Sequence, residues 1–212
     1  MAAGKTTTDP FDATRERIVL AALSHVPSLG WTRAALDAGA ADAGLDGHAA
    51  RRAFPGGALE AIALHSALAD RRMLESLARL DLARLRVRER IAQGVRARLD
   101  PLSPHREAMR RALARLALPQ NAPLGLGCLY RTVDAIWHAA GDNATDFNFY
   151  TKRALLAGVY AATIVYWLDD RSEGSQATWR FLDRRIADVM GVPAALGRLR
   201  DLARRLPSPL EA

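Results

Sequence analysis

Residues 17–64 read RIVLAALSHVPSLGWTRAALDAGAADAGLDGHAARRAFPGGALEAIAL. Apolar residues recur at helical spacing up to Leu29-Gly30-Trp31-Thr32, again up to Ala43-Gly44-Leu45, again up to Phe54-Pro55, and then in a longer run. Each interruption carries a Gly or a Pro, which a helix interior accepts only at about 1 kcal/mol for Gly and about 3 kcal/mol for Pro. Outward from it, helices are expected over 11–26, 32–43, 47–54, 57–80, 82–99, 104–118, 123–140, 146–170, 175–190 and 193–206. No alternating Val/Ile/Thr segment bounded by turns occurs, so the fold class is all-α. The expected organisation is a loose tail over 1–10, a three-helix head over 11–54, a bundle of longer helices over 55–190, and an amphipathic C-terminal helix and tail over 191–212.

At 212 residues, 50% hydrophobic and 25% charged, the chain has the balance of a soluble globular protein with a sizeable core. Its one cysteine, Cys128, excludes an intramolecular disulfide, and the first ten residues carry one Lys, no Arg and no apolar run. The expected location is therefore a bacterial cytoplasm. The uncharged run 154–168 is fifteen residues long. That falls short of the ~20 a spanning helix needs and suits a buried core helix. The formal charge of +7 is concentrated in 84–115, where ten Arg meet Glu89, Asp100 and Glu107, while the remaining charges cancel. An Arg-rich strip either meets phosphate, of nucleic acid or anionic lipid, or is a solvated helix face.

The layout of 17–64 resembles the DNA-binding head of the TetR regulators. In that pattern Thr32 caps the second helix, Ala43-Gly44 marks the tight turn of a helix-turn-helix, and the short third helix enters the major groove. The side chains depart from it. Where such regulators place an aromatic-His-Phe triplet and then a phosphate-binding Lys, this chain has Arg52, Ala53, Phe54 and later Gly57. The recognition segment Gly47-His48-Ala49-Ala50-Arg51-Arg52 offers little base-edge readout, and residues 15–54 carry a net charge of only +1. Sequence-specific DNA binding is not expected, and a ligand-responsive repressor is the alternative reading.

The elements Trp137-His138-Ala139-Ala140-Gly141-Asp142, Thr145-Asp146-Phe147-Asn148-Phe149-Tyr150-Thr151-Lys152-Arg153 and Thr178-Trp179-Arg180-Phe181-Leu182 are more specific. With His25-Val26-Pro27, Gly30-Trp31-Thr32 and the corner Leu118-Pro119-Gln120-Asn121-Ala122-Pro123, they resemble the ubiquinone biosynthesis lipid-binding family, number nine in the yeast series. That family keeps a TetR-type fold without acting as a regulator. The resemblance implies an accessory role, a pocket for an isoprenoid quinone intermediate or other lipid, contact with the demethoxyubiquinone hydroxylase, and a C-terminal helix that touches an anionic membrane surface. A homodimer is expected as well. Carried over residue by residue, the partner patch is Asp134, Trp137, His138, Asp146, Phe149, Tyr150 and Arg153. Phe149, often Trp in relatives, and Lys152, where Arg is common, keep ring and charge.

The residues' own physics leaves alternatives open at each of these places. Asp134, His138 and Asp142 stand at i, i+4 and i+8, a spacing for metal ligands or for a hydrogen-bonded polar face; no Glu-x-x-His partner helix exists, so no metal is expected. Trp137, Phe149 and Tyr150 lie among charges and read as interface anchors or as rings half-buried against a neighbouring helix. The expected lipid contacts are Leu126, Leu129, Val133, Leu156, Val159, Tyr160, Thr163, Ile164 and Trp167. Gly125, Gly127 and Gly158 lie in the same helices, where they serve either a tunnel or tight packing. In the tail, Leu196, Leu199, Leu202 and Leu206 form an apolar stripe flanked by Arg198, Arg204 and Arg205. Such a helix binds an anionic bilayer or docks on a bundle. There is no nucleophile with a paired base, no Gly-rich phosphate loop, no HExxH and no paired carboxylates in an apolar setting, so neither an enzyme nor a cofactor is expected.

Overall fold

The computed structural model describes residues 9–141 and 147–189, all of whose regular structure is helical. The head comprises α1 (Pro10–Ala22), α2 (Val26–Leu29), α3 (Arg33–Asp42) and α4 (Ala49–Ala53). Asp9 starts α1 by accepting a hydrogen bond from Phe11 N at 2.9 Å, and the Thr32 hydroxyl starts α3 by accepting one from Ala35 N at 3.3 Å. Pro27 does not break a helix, as periodicity suggests; it sits in the first turn of α2, where its missing N–H costs nothing. Gly39 lets α3 lie on α1, since a Cβ there would come within 2.6 Å of Ala22 N and 2.7 Å of Ile18 O.

The bundle comprises α5 (Ala58–Leu77), α6 (Val87–Leu99), α7 (Arg106–Leu116), α8 (Ala122–Ala139) and α9 (Phe147–Asp169), and α10 covers 176–189. The segment 82–99 is not one helix. A single 3-10 turn over Leu82–Arg84 gives way to extended Leu85, and α6 restarts where Glu89 Oε2 accepts from Arg86 N at 2.8 Å. At the α7–α8 corner, Asn121 Nδ2 donates to Arg115 O at 2.8 Å.

Two hydrophobic cores form. The head core is built on Ile18, Leu36 and Phe54, each fully buried and each contributing about 1.5–3 kcal/mol relative to exposure. It continues past the head to Ala58, Ala61 and Ile62 of α5 and Ala108 and Ala112 of α7. Trp31 Nε1 donates to Ala108 O at 2.9 Å, locking head to bundle. The second core joins α5, α6, α8, α9 and α10 around Met73, Val95, Ile136, Trp167 and Leu182.

Part of the Arg-rich strip is taken up by contacts between helices, while Arg84, Arg86, Arg88, Arg110, Arg111 and Arg115 stay exposed. Arg90 donates to Ala140 O at 3.0 Å, Arg96 pairs with Asp183 at 3.2 Å, and Arg106 donates to Trp167 O at 2.9 Å with its guanidinium 4.7 Å from the Trp167 ring. Arg110 pairs with Asp169 at 2.7 Å. These side chains tie α6 and α7 to α8, α9 and α10.

Candidate functional site

A cavity of about 310 Å³ lies where the two cores meet. Ile62 and Ala112, from the head core, line one side, and Met109, Leu129 and Ile164 the other. The wall is mostly apolar, with one polar end formed by His65 and Ser66 of α5, Arg98 of α6, Thr132 of α8 and Tyr160 of α9. Ala117, Ala161 and Val165, which also line it, are exposed, so the cavity opens to solvent on that side.

Behind the polar end stands a buried ionic hub. Asp70 Oδ1 accepts from Arg98 Nε at 2.8 Å and from the Thr132 hydroxyl at 2.7 Å, and Asp70 Oδ2 accepts from Arg131 Nε at 2.9 Å. Arg98 is 3% exposed, and its Nη2 lies 3.4 Å from both Ser66 O and Ser66 Oγ. Desolvation, reinforced by the charges of Arg98, His105 and Arg72, lowers the His65 pKa to about 3, so this imidazole is neutral at ordinary pH. Burial pushes the Tyr160 phenol up, which keeps it protonated and able to donate. The His65 ring also packs 5.8 Å from that of Trp31, joining the cavity to the head.

The expected lipid contacts divide. Leu129, Tyr160 and Ile164 line this cavity. Leu156 and Val159 line a smaller one of about 160 Å³, shared with Ile91, Trp137 and Ile186. Val133, Thr163 and Trp167 are packed in the bundle core, the Thr163 hydroxyl donating to Val159 O at 2.7 Å. Leu126 is 65% exposed and lies outside both cavities. Of the glycines, Gly125 lines this cavity and also permits a close approach of α8 to α7, since a Cβ there would meet Leu116 at 3.3 Å, whereas Gly127 and Gly158 face open space. Neither motif nor resemblance marks His65, Asp70, Arg98 or Thr132. A signal for two of them exists, because Asp70 stands three and seven residues before buried Met73 and Leu77, and Arg98 three and seven after buried Val95 and Ile91. A charged residue on an apolar stripe is a buried pair awaiting its partner.

The expected partner patch divides as well. Trp137 is 8% exposed, its Nε1 donates to Lys152 O at 3.1 Å, and the Lys152 ammonium lies 5.7 Å from its ring. Arg153, 6% exposed, donates to Asp134 Oδ1 at 2.6 Å. Both therefore fasten α8 to α9. His138 is exposed and Tyr150 is 69% exposed, so these are the side chains presented outward. Asp142, Asp146, the side chain of Phe149 and the whole 193–206 stripe lie outside the described residues. Among the described residues no group of three or more His, Cys, Asp or Glu is arranged to hold a metal ion, and no helix is long and apolar enough to cross a membrane.

Residues 122–193 match a family model described as COQ9, and residues 12–41 match one described as the N-terminal domain of ubiquinone biosynthesis protein COQ9. The mitochondrial ubiquinone biosynthesis protein COQ9 of Rattus norvegicus is 39% identical over 187 residues, covering 84% of this chain and 59% of the relative. That of Homo sapiens is 39% identical over 184 residues, covering 84% and 58%, and that of Drosophila melanogaster 34% identical over 191 residues, covering 88% and 58%. The chain thus spans less than two thirds of the length of these curated relatives. The crystal structure of a TetR transcriptional regulator from Nitrosomonas europaea superposes with a TM-score of 0.69 at 24% identity, over 84% of this chain and 98% of that one, so the fold is of the TetR type. The expected location in a bacterial cytoplasm, at the inner face of its membrane, is overturned, because these relatives are mitochondrial proteins. A lone buried thiol shows that no internal disulfide is needed and does not tell one reducing compartment from another.

Proposed function

Because the chain belongs to the COQ9 family of ubiquinone biosynthesis proteins, we propose that it is a non-catalytic accessory protein of ubiquinone synthesis. It holds an isoprenoid quinone intermediate in the bundle cavity and presents it to the demethoxyubiquinone hydroxylase at an anionic membrane surface. The observation that carries this reading is the mostly apolar cavity between α5, α6, α7, α8 and α9, open on one side through Ala117 and Val165. Apolar walls suit a lipid, since a ligand of that kind gains about 25 cal/mol per Å² of apolar area removed from water. The native protein is expected to release an isoprenoid quinone precursor on solvent extraction, identified by mass spectrometry. Delipidated protein should regain about 2.7 kcal/mol of stability at 100 times the dissociation constant of an added quinone analogue. An extract without isoprenoid lipid, together with an unmoved melting temperature, would overturn the reading.

Selective DNA binding has no place in it. Ala49, Ala50 and Ala53 of α4 are buried, Arg52 is taken up by Asp46, and Arg33 is spent on Ala50 O at 3.0 Å and Phe54 O at 2.9 Å. A five-residue helix so engaged presents only Arg51 and the Asp46-paired Arg52 as exposed polar side chains, which is little for reading bases.

For the hydroxylase contact the informative variant is Tyr150→Ala. Truncating an exposed aromatic anchor at an interface commonly costs at least about 2 kcal/mol, roughly thirtyfold in affinity, and it should leave the fold unchanged. Titration of the hydroxylase against both proteins measures it, and equal affinities would remove Tyr150 from the interface. Trp137→Ala and Arg153→Glu are poorer probes. The first empties a buried ring site, and the second sets two carboxylates against each other across α8 and α9.

A further inference from the structure

The polar end of the cavity carries more hydrogen-bonding capacity than the protein uses. The Asp70 carboxylate and Ser66 take the edge of the Arg98 guanidinium that presents Nε and Nη2. Nη1, on the other side of the fork, is buried with no partner among the described residues. The Tyr160 hydroxyl and the His65 ring, both buried and both lining the same cavity, take part in no hydrogen bond among the described residues. Buried polar groups are satisfied almost without exception, and one left unmade costs about 1–3 kcal/mol. The Arg98 Nη1 donor is such a group among the described residues, and with the Tyr160 hydroxyl and the His65 ring lining the same cavity it makes a polar end that an oxygen acceptor can satisfy.

We propose that this end seats an uncharged, oxygen-bearing ring, whose acceptor oxygens take hydrogen bonds from Arg98 and Tyr160 while the attached hydrocarbon chain leaves past Ala117 and Val165. Three observations set the details. The first is polarity: His65, Arg98 and Tyr160 are buried, whereas Ala117, Ala161 and Val165 are apolar and exposed, so the head enters first and the tail trails out. The second is charge. Asp70 balances buried Arg98 at 2.8 Å, and the further cation on Asp70, Arg131 at 2.9 Å, has a side chain 43% exposed and is screened by water. An anionic head would therefore bring a charge into the cavity against only a solvent-screened counter-ion. The third is size, because about 310 Å³ is at the small end of the ~300–1,000 Å³ of ligand sites and holds a ring with the start of a tail, not a whole polyprenyl chain. The inference rests on the lipid-binding reading and adds to it which end of the ligand is read, and by which side chains.

The test uses the delipidated full chain and three probes: a decyl-substituted dimethoxy-methyl benzoquinone, squalene as an isoprenoid without oxygen, and palmitate as an anionic head. Dissociation constants come from quenching or enhancement of tryptophan fluorescence. Tyr160→Phe removes one hydroxyl and keeps the ring; Arg98→Lys keeps the charge opposite Asp70 and removes the fork. Each is expected to weaken the quinone about tenfold and to leave squalene unchanged. Leu129→Trp, which fills the apolar wall, should weaken both. If Leu129→Trp abolishes quinone binding while the two polar variants bind it as the parent does, the polar end holds water and the inference fails, with the lipid reading intact. Palmitate bound more tightly than the quinone, and through Arg98, overturns the uncharged head. Neither quinone nor squalene binding to the parent protein overturns the inference and the lipid reading together.

Discussion

Asp70→Ala is expected to cost about 3–5 kcal/mol of folding stability, read as a lower denaturant midpoint with an unchanged slope. The carboxylate is the common acceptor for Arg98 of α6 and for Arg131 and Thr132 of α8. Its removal leaves the Arg98 guanidinium, 3% exposed, as a buried cation without a counter-ion. Arg131 loses less, since its side chain is 43% exposed and water replaces the lost bond. The magnitude belongs to breaking the pair, not to the pair's net worth. Asp70→Leu combined with Arg98→Met, which removes both charges, should therefore recover most of the loss. A double variant as unstable as Asp70→Ala would mean that the hub stabilises the bundle outright.

Stability is expected to fall by about 2 kcal/mol between pH 6.5 and pH 5 through His65 alone. Above its unfolded value of 6.5 the imidazole is neutral in both states and contributes nothing to the pH dependence. Below that, the unfolded chain takes the proton while the folded one refuses it until about pH 3, because desolvation first, and the charges of Arg98, His105 and Arg72 next, penalise the cation. The unfolded state thus binds more protons throughout this window, and stability rises with pH across it. Carboxylates with depressed values, such as Asp170, held low by hydrogen bonds from Ser172 and Thr178 that outweigh its desolvation, act only at more acid pH. His65→Phe keeps a ring against Trp31 and removes the titration, so its denaturation midpoints at pH 6.5 and pH 5 should lie closer together by this amount. Parallel pH profiles for parent and variant would exclude His65 as the source. The same neutrality matters in the cavity, where a charged imidazole beside Arg98 would repel it.

The site was legible in proportion to how apolar its parts are. Leu129, Tyr160 and Ile164 announce themselves as members of apolar stripes on α8 and α9 and do line the cavity. Leu126 belongs by spacing to the same run and is nevertheless 65% exposed, which its place on the stripe does not explain. Trp137 and Arg153 stand among charges in the family's motifs and are nonetheless buried, since each spends its polar atoms on the neighbouring helix. Chemistry that motifs can display was visible; the half of the cavity contributed by α5, α6 and α7 was not.

What the sequence by itself determined is the succession of helices and the family. Caps, prolines and glycines act within one turn, so Thr32 and Pro55 mark their boundaries wherever the rest of the chain goes, whereas the restart at Glu89 lies inside a run whose periodicity reads as one helix. Only the tertiary structure decided where charge is buried and where space is left. Asp70 meets Arg98, Arg131 and Thr132 across separations of 28, 61 and 62 residues, and Trp31 meets Ala108 across 77. A charged residue on a helix stripe is solvated or paired according to what another helix brings opposite it, and no local pattern records that partner. The cavity is of the same kind, because it is the volume that the head core and the bundle core leave unfilled where they meet, a property of their packing and of neither alone.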